Sequence, residues 1–583
     1  MTRPSHYQPL SDPWEIRLLE LGPASDNKSS TWTMRQVSLH DDPAFVALSY
    51  VWGDPNDTTP IECNGHEFLV TKNLKNLLEH FCASLRKIVL WVDALCINQN
   101  DLKERSQQVQ MMRHIFEKAR LTFAWLGPVS DNSDLAIDFL AGLGYMMTLS
   151  TWVDEPQKVD FLLRSYPPDL PCWVALFKLL SRPWFTRVWI LQEVAVPKLI
   201  SLHCGDRFLP WDILDLAIRE LLILELPFYL LGTSTSDRHN WDAIDNLIRL
   251  RRIIQERRYM GMQGLMRLSR HHQASDPRDK VYALLGLTDE ADRVGIIPDY
   301  SDSVSISDIY RSLSMAFLTY PPSPNKLFLL SFAGLENHVD PKMPSWVAPW
   351  TTVRTPHFGA FSHETGFSAA GETVPVFVLT PDPDMLGILG IPVDSIDSYA
   401  DSTPLPIQGY IGHDLAVHNQ YLAWEQNWSA FARAAQPYPP NEDIEDVYWQ
   451  TIVFGVDNTM KRADKGFGKK LSCWRRYQSS KISSSDLADE ASYEGFDKFG
   501  AALARGAYCM RLGRTSKGYL GLFPISSQKN DVVVVLLGGD VPFVLRRLPT
   551  GHMQLVGECY VHGLMTGEAL TELGLPQKLF HLL

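Results

Sequence analysis

Carboxylates set beside aromatic residues are the side chains of this sequence best suited to chemistry. Tyr50, Trp52 and Asp54 lie at the end of the apolar run FVALSYVW, where Gly53-Asp54-Pro55 turns the chain. Asp93, Cys96, Asn98 and Gln99 close and follow a second run, IVLWVD, and Glu193 lies in RPWFTRVWILQEV. In open parallel sheets, ligands bind in the crevice outside the carboxyl ends of the strands. These residues would therefore form a cleft with aromatic walls and one or two carboxylates. The alternative is that Asp54 and Asp93 cap turns or helices, Glu193 pairs with Arg187, and the tryptophans fill the core. Other chemistries lack support. The sequence contains no phosphate-binding or dinucleotide glycine motif, no nucleophile elbow and no zinc-protease helix. His271-His272 are adjacent, so on a helix they would point in different directions. The eight cysteines include no C-x-x-C pair, and no metal site is expected.

The elements that must position these residues can be read from periodicity. Segments 14–21 and the run to Val37 read as strands. In IECNGHEFLV, Asn64-Gly65 marks a hairpin, because both turn residues must tolerate positive φ. Leu74, Leu77, Leu78, Phe81 and Leu85 recur at helical spacing over 72–85. A strand over 88–93 leads through the loop ALCINQND to a helix from Leu102 to Ala119, whose expected buried stripe is Val109, Met112, Ile115, Phe116 and Ala119. LTFAWLG (121–127) and LISLHCG (199–205) read as further buried strands, with helical stretches over 134–148 and 173–180 and a turn into a helix over 181–196. Strands alternating with helices indicate an α/β layer with a largely parallel sheet. From Trp211 to about Leu318 the patterns are mainly helical. After Trp346 short β runs predominate, with helices around 421–435 and 442–453. Four segments are expected: a β segment over 1–44 packing on the next domain, an α/β domain over 45–195, a mainly helical region over 196–345 and a β-rich region over 346–583.

Composition narrows the classes. At roughly 150 residues per domain, 583 residues make about three or four domains. With 54 basic and 67 acidic residues the net charge is −13, which gives no global footprint for nucleic acid or anionic lipid. The basic run Lys461–Lys481 reads as a solvated, mobile loop. The stretch from Trp211 to Gly232 is apolar but interrupted by five charges, so no membrane span is expected. The N-terminus lacks an apolar signal region, and the thinly spread thiols fit a reducing, cytoplasmic setting.

Five blocks carry a family resemblance: ALSYVWGD (47–54), LWVDALCINQND (90–101), the helix bearing Glu104, Arg105, Gln108, Val109 and Met112, FAWLG (123–127) and RPWFTRVWILQEV (182–194). In order and spacing they resemble the heterokaryon incompatibility (HET) domain of filamentous fungi, over about residues 45–195. DPRDKVYALLGL (276–287), PSWVAPW (344–350) and the C-terminal runs look like segments that accompany HET domains. The resemblance implies non-self recognition and programmed cell death, with self-association or protein partners and no nucleic acid. It also implies a distant similarity to Toll/interleukin-receptor (TIR) domains, hence a TIR-like α/β fold, and WILQEV (189–194) looks like the block that carries the catalytic glutamate of TIR enzymes that cleave NAD. Ile190 and Val194 depart from that block, and the long insertion after FAWLG departs from the short TIR connection.

The implied site has Glu193 as the catalytic carboxylate and Tyr50, Trp52, Asp54 and Asp93 lining it. No cofactor is implied, and NAD is a candidate substrate. Nicotinamide leaves NAD as a neutral group from a cationic ring, so no general acid is required, unlike ordinary glycoside hydrolysis. One carboxylate that holds the ribose hydroxyls and stabilises an oxocarbenium-like transition state would suffice. The competing expectation is a non-catalytic signalling module that assembles through its HET domain.

Overall fold

The computed structural model describes residues 6–22, 32–82, 87–149, 155–223, 235–288, 290, 294–319, 327–337, 340, 342–351, 365–401, 415–434, 438–439, 442–479, 498–503 and 510–583. The chain divides into two compact units, Met1–Ile306 and Ser307–Leu583.

The first unit is built on a mixed sheet. Its strands are β1 (Glu15–Leu21), β2 (Trp32–Ser38), β3 (Val46–Tyr50), β4 (Thr58–Cys63), β5 (His66–Thr71), β6 (Ile88–Trp91), β7 (Leu121–Trp125), β8 (Ile200–Cys204) and β9 (Arg207–Pro210). Their spatial order is β5-β4-β2-β1-β6-β3-β7-β8-β9. The central strands β6, β3, β7 and β8 are mutually parallel. The expectation of a largely parallel sheet is corrected outside that centre, where β1 pairs antiparallel with β2 and β6, and the hairpins β4–β5 and β8–β9 are antiparallel. For the hairpins β4–β5 and β8–β9 the reason is connection length. Short turns can join only antiparallel neighbours, whereas the central strands are linked through helices.

Local signals explain most of these elements. Asn64 and Gly65 take φ of 53° and 74°, as the two-residue turn between β4 and β5 requires. Helix α1 (Lys72–Cys82) buries Leu74, Leu77, Leu78 and Phe81. Strand β6 ends at Trp91, and Asp93 begins a short helix, α2 (Asp93–Cys96), where a strand end and loop were expected. Helix α3 (Leu102–Lys118) starts at Asp101, whose carboxylate accepts the amides of Lys103 and Glu104 at 3.1 Å each. Its buried face holds Glu104, Gln108, Met111, Met112, Ile115 and Phe116, while Val109, expected there, is half-buried.

The polar members of that face find partners far away in sequence. Arg17 of β1 donates to Glu104 at 2.6 and 2.9 Å, to the Cys96 carbonyl at 3.0 Å and to the Gln8 carbonyl at 2.7 Å. Gln108 donates to the Glu15 carbonyl at 2.9 Å. The remaining helices of this unit include α4 (Ser133–Leu149), α5 (Glu155–Ser165), α6 (Pro171–Leu180), α7 (Ile190–Ala195) and α8 (Trp211–Ile223). Helices Thr235–Gln255, Met262–Ser269 and Asp279–Leu285 follow.

The second unit is mostly β in its last part, as expected. Its strands are β10 (Phe377–Leu379), β11 (Leu386–Tyr399), β12 (Met510–Thr515), β13 (Leu520–Pro524), β14 (Val532–Leu536), β15 (Phe543–Arg547), β16 (Met553–Glu558), β17 (Tyr560–Val561) and β18 (Lys578–Leu582). Strands β14, β15, β16, β18 and β11 follow one another in order, and β11 pairs back onto β14, which closes a ring. Val393, Ile396, Val533, Val535, Val544 and Val556 belong to its apolar core. Helices Leu415–Arg433 and Ile444–Ile452 correspond to the two helical stretches read from sequence. The basic run is corrected. Lys465–Ser479 is a helix rather than a loop, because Phe467, Leu471 and Trp474 give it a buried stripe. Lys481 lies outside the described residues.

Candidate functional site in the first unit

Strands β3 and β6 are parallel neighbours, with Val46 opposite Leu90 and Ala47 opposite Trp91. Their carboxyl ends therefore adjoin, and the residues that follow each strand meet. The Trp52 indole donates to Asp93 Oδ2 at 2.8 Å, and Asp93 Oδ1 accepts the Ala94 amide at 2.8 Å. Gln99 donates to the Asp93 carbonyl at 2.9 Å, which ties the α2 segment to the loop behind it.

Glu193 reaches the same place from the other side. RPWFTRVW forms a 3-10 turn, Pro183–Thr186, before α7, and Glu193 lies in the first turn of that helix. The Ser49 hydroxyl donates to Glu193 Oε2, and the Trp184 indole donates to Ser49 Oγ at 2.8 Å. Arg187 Nη1 donates to the Tyr50 carbonyl and stands 3.7 Å from Glu193 Oε2. The Glu193 side chain is 4% exposed and that of Arg187 is 20% exposed. The arginine thus lies nearer the surface than the carboxylate it faces.

Electrostatics follow from this burial. Removal from water raises the Glu193 pKa; Arg187 and the Ser49 hydrogen bond oppose the shift, and the charge of Asp93 adds to it. Asp93 is likewise raised by burial, against the pull of Arg187 and the Trp52 hydrogen bond. The Tyr50 phenol is pushed up by burial and then by the charge of Asp93. The Cys96 thiol is pushed up to about 12, chiefly by burial, so it is protonated and unreactive at neutral pH.

Four of the five residues singled out from sequence are thus brought together: Tyr50, Trp52, Asp93 and Glu193. Asp54 is not part of this network. It is exposed, and its carboxylate accepts the Asn56 amide at 2.9 Å and the Asn56 side chain at 3.2 Å within its own turn. Sequence reasoning missed Ser49 and Trp184, although a serine inside an otherwise apolar strand was a readable signal. Arg187 entered only as a possible partner of Glu193, and it is one. The catalytic role implied for Glu193 needs a carboxylate that is open to ribose hydroxyls. The arginine and the serine engage it instead, because a buried carboxylate without partners is costly.

The segment DPRDKVYALLGL supports this constellation from behind. Gln192 donates to the Ala283 carbonyl at 2.8 Å, and Arg113 of α3 donates to the Gly286 carbonyl at 2.8 Å. The guanidinium of Arg105 stacks on Tyr300 at 3.7 Å, and Tyr300 donates to Asp279 at 2.5 Å. Among the described residues no group of His, Cys, Asp and Glu is placed to hold a metal ion.

Comparison with known proteins agrees with the sequence blocks. Residues 45–193 match the family model for heterokaryon incompatibility protein (HET), and residues 425–580 match that for the Het-6 beta-barrel domain. Heterokaryon incompatibility protein 6, OR allele, of Neurospora crassa is 27% identical, over 96% of this chain and 95% of that protein. No solved structure matches the chain. On these matches, strands β12 to β17 of the second unit fall within the Het-6 barrel region while β11, which closes the ring, precedes it, the Tyr50–Glu193 cluster falls at the HET-domain sheet, and the chain is a HET domain protein.

Proposed function

We propose that this protein acts in fungal non-self recognition and programmed cell death, as a signalling module that works through its HET domain and protein partners. Whole-length similarity to a heterokaryon incompatibility protein supports the biological role. One observation carries the choice of a module over an enzyme: the Glu193 carboxylate is buried and engaged by both Ser49 and Arg187. In that arrangement it organises the end of the sheet rather than facing a sugar. The test is expression of the protein, and of its Glu193→Gln variant, in a fungal strain lacking it. Death on fusion with an unlike strain, retained by a folded Glu193→Gln protein, supports the module. Loss of death with folding intact would remove it in favour of chemistry at Glu193.

A second reading, TIR-like NAD cleavage, is favoured by the convergence of Tyr50, Trp52, Asp93 and Glu193 at the carboxyl ends of adjacent parallel strands. It requires the arginine to yield the carboxylate to substrate. Purified protein incubated with NAD tests it directly: nicotinamide release that disappears in Glu193→Gln supports cleavage, and no release by the active wild-type protein rules it out.

A further inference from the structure

Arg187 uses only part of its binding capacity. A guanidinium carries five N–H donors in a planar fork. Here only Nη1 makes a hydrogen bond to protein, to the Tyr50 carbonyl, and the contact with Glu193 is a 3.7 Å ion pair rather than a hydrogen bond. Nε and Nη2 make no hydrogen bond among the described residues, and the side chain is one-fifth exposed. Across the same cluster, Trp52 is 38% exposed, and its ring is held in place by the indole hydrogen bond to Asp93. Asp93 in turn lies within electrostatic reach of Arg187.

A fork with an unused edge fits a phosphate, and a held, exposed indole fits a planar base. We propose that the mouth of this cluster binds a nucleoside phosphate, with Arg187 taking the phosphate through Nε and Nη2 and Trp52 stacking on the base. Binding draws the guanidinium toward the anion and weakens its grip on Glu193, so the ligand itself uncovers the carboxylate. The inference rests on reading this cluster as a ligand site, and it names the ligand class that the second reading above leaves to resemblance.

The experiment uses the full chain and titrates ADP and adenosine by calorimetry. Wild-type protein is expected to bind ADP at least about tenfold more tightly than adenosine, as a charge-assisted bidentate contact provides. Arg187→Ala should bring ADP down to the adenosine level, and Arg187→Lys should retain only part of the preference, because a lysine is a point charge without a fork. Trp52→Ala should weaken both ligands alike. If Arg187→Ala fails to fold, as judged by circular dichroism, Arg187→Lys decides the matter. Equal affinity of wild type for ADP and adenosine, absence of ADP binding, or an undiminished ADP preference in Arg187→Lys overturns the proposal. Nicotinamide release is followed separately. ADP binding without release leaves the site and removes NAD cleavage, whereas release unaffected by Arg187→Lys leaves cleavage and removes the assigned role of Arg187.

Discussion

The pair Arg17–Glu104 is the place where a single substitution should do most harm to the first unit. Arg17 comes from β1, before the region that matches the HET family, and Glu104 from α3, within it. Two hydrogen bonds, 2.6 and 2.9 Å, join them in a bidentate pair whose side chains are 2% and 9% exposed. An exposed pair would be worth between nothing and about 1 kcal/mol. At this burial the relevant quantity is the cost of leaving one charge behind without its partner, about 3–5 kcal/mol. Glu104→Leu strands a guanidinium that still touches the Cys96 and Gln8 carbonyls, and Arg17→Met strands a carboxylate that still accepts the Asn98 amide. Each single variant should therefore lose about 3–5 kcal/mol, while the double variant Arg17→Met/Glu104→Leu should lose less than either, since no buried charge remains. Urea unfolding of the full chain, followed by tryptophan fluorescence, measures all three. A loss below about 1 kcal/mol in the single variants, or losses that simply add in the double, would refute the reasoning.

Two further outcomes are expected. Burial raises the folded pKa values of Glu193 and Asp93 above their unfolded ones. Their contribution to stability is therefore full below the unfolded pKa and is lost as pH rises through the folded one. Acidifying from neutral pH toward the ordinary carboxylate range should raise the urea midpoint of wild type more than that of Glu193→Gln, and parallel pH profiles would show that Glu193 does not titrate as described. Trp91 is fully buried in β6, edge to face with Phe116 at 5.7 Å. Trp91→Ala should cost about 3–5 kcal/mol in the same urea assay, and a loss under about 1 kcal/mol would show that the site collapses freely around the cavity.

The fold of the HET region was legible wherever local chemistry was strong. The Asn64-Gly65 turn, the stripe of α1, the Asp101 start of α3 and the short apolar strands all needed only neighbouring residues to specify them. What escaped depends on partners distant in sequence. Glu104 and Gln108 look like solvent-facing helix residues until Arg17 and the Glu15 carbonyl, some ninety positions earlier, are placed beside them. The antiparallel flanks of the sheet were hidden for the same reason, since β1 pairs with both its hairpin mate and β6. At the carboxyl ends of β3 and β6, residue types picked out four side chains that converge, Tyr50, Trp52, Asp93 and Glu193. They could not distinguish Asp93, held by the Trp52 indole, from Asp54, used in its own turn. The basic run misled because its lysines outnumber the three apolar residues that make 465–479 a helix.

Strand β11 sets a condition on biogenesis. Its fourteen residues bond to β10, β12, β14 and β18, and the last of these ends at Leu582. Nearly two hundred residues separate β11 from that final partner, so a growing polypeptide that has already emerged through Tyr399 still has an unzipped seam. During translation the edge of β11 is a template for any extended segment nearby, and a chaperone that shields it, or slow elongation that delays its exposure, would govern how much protein reaches the closed form.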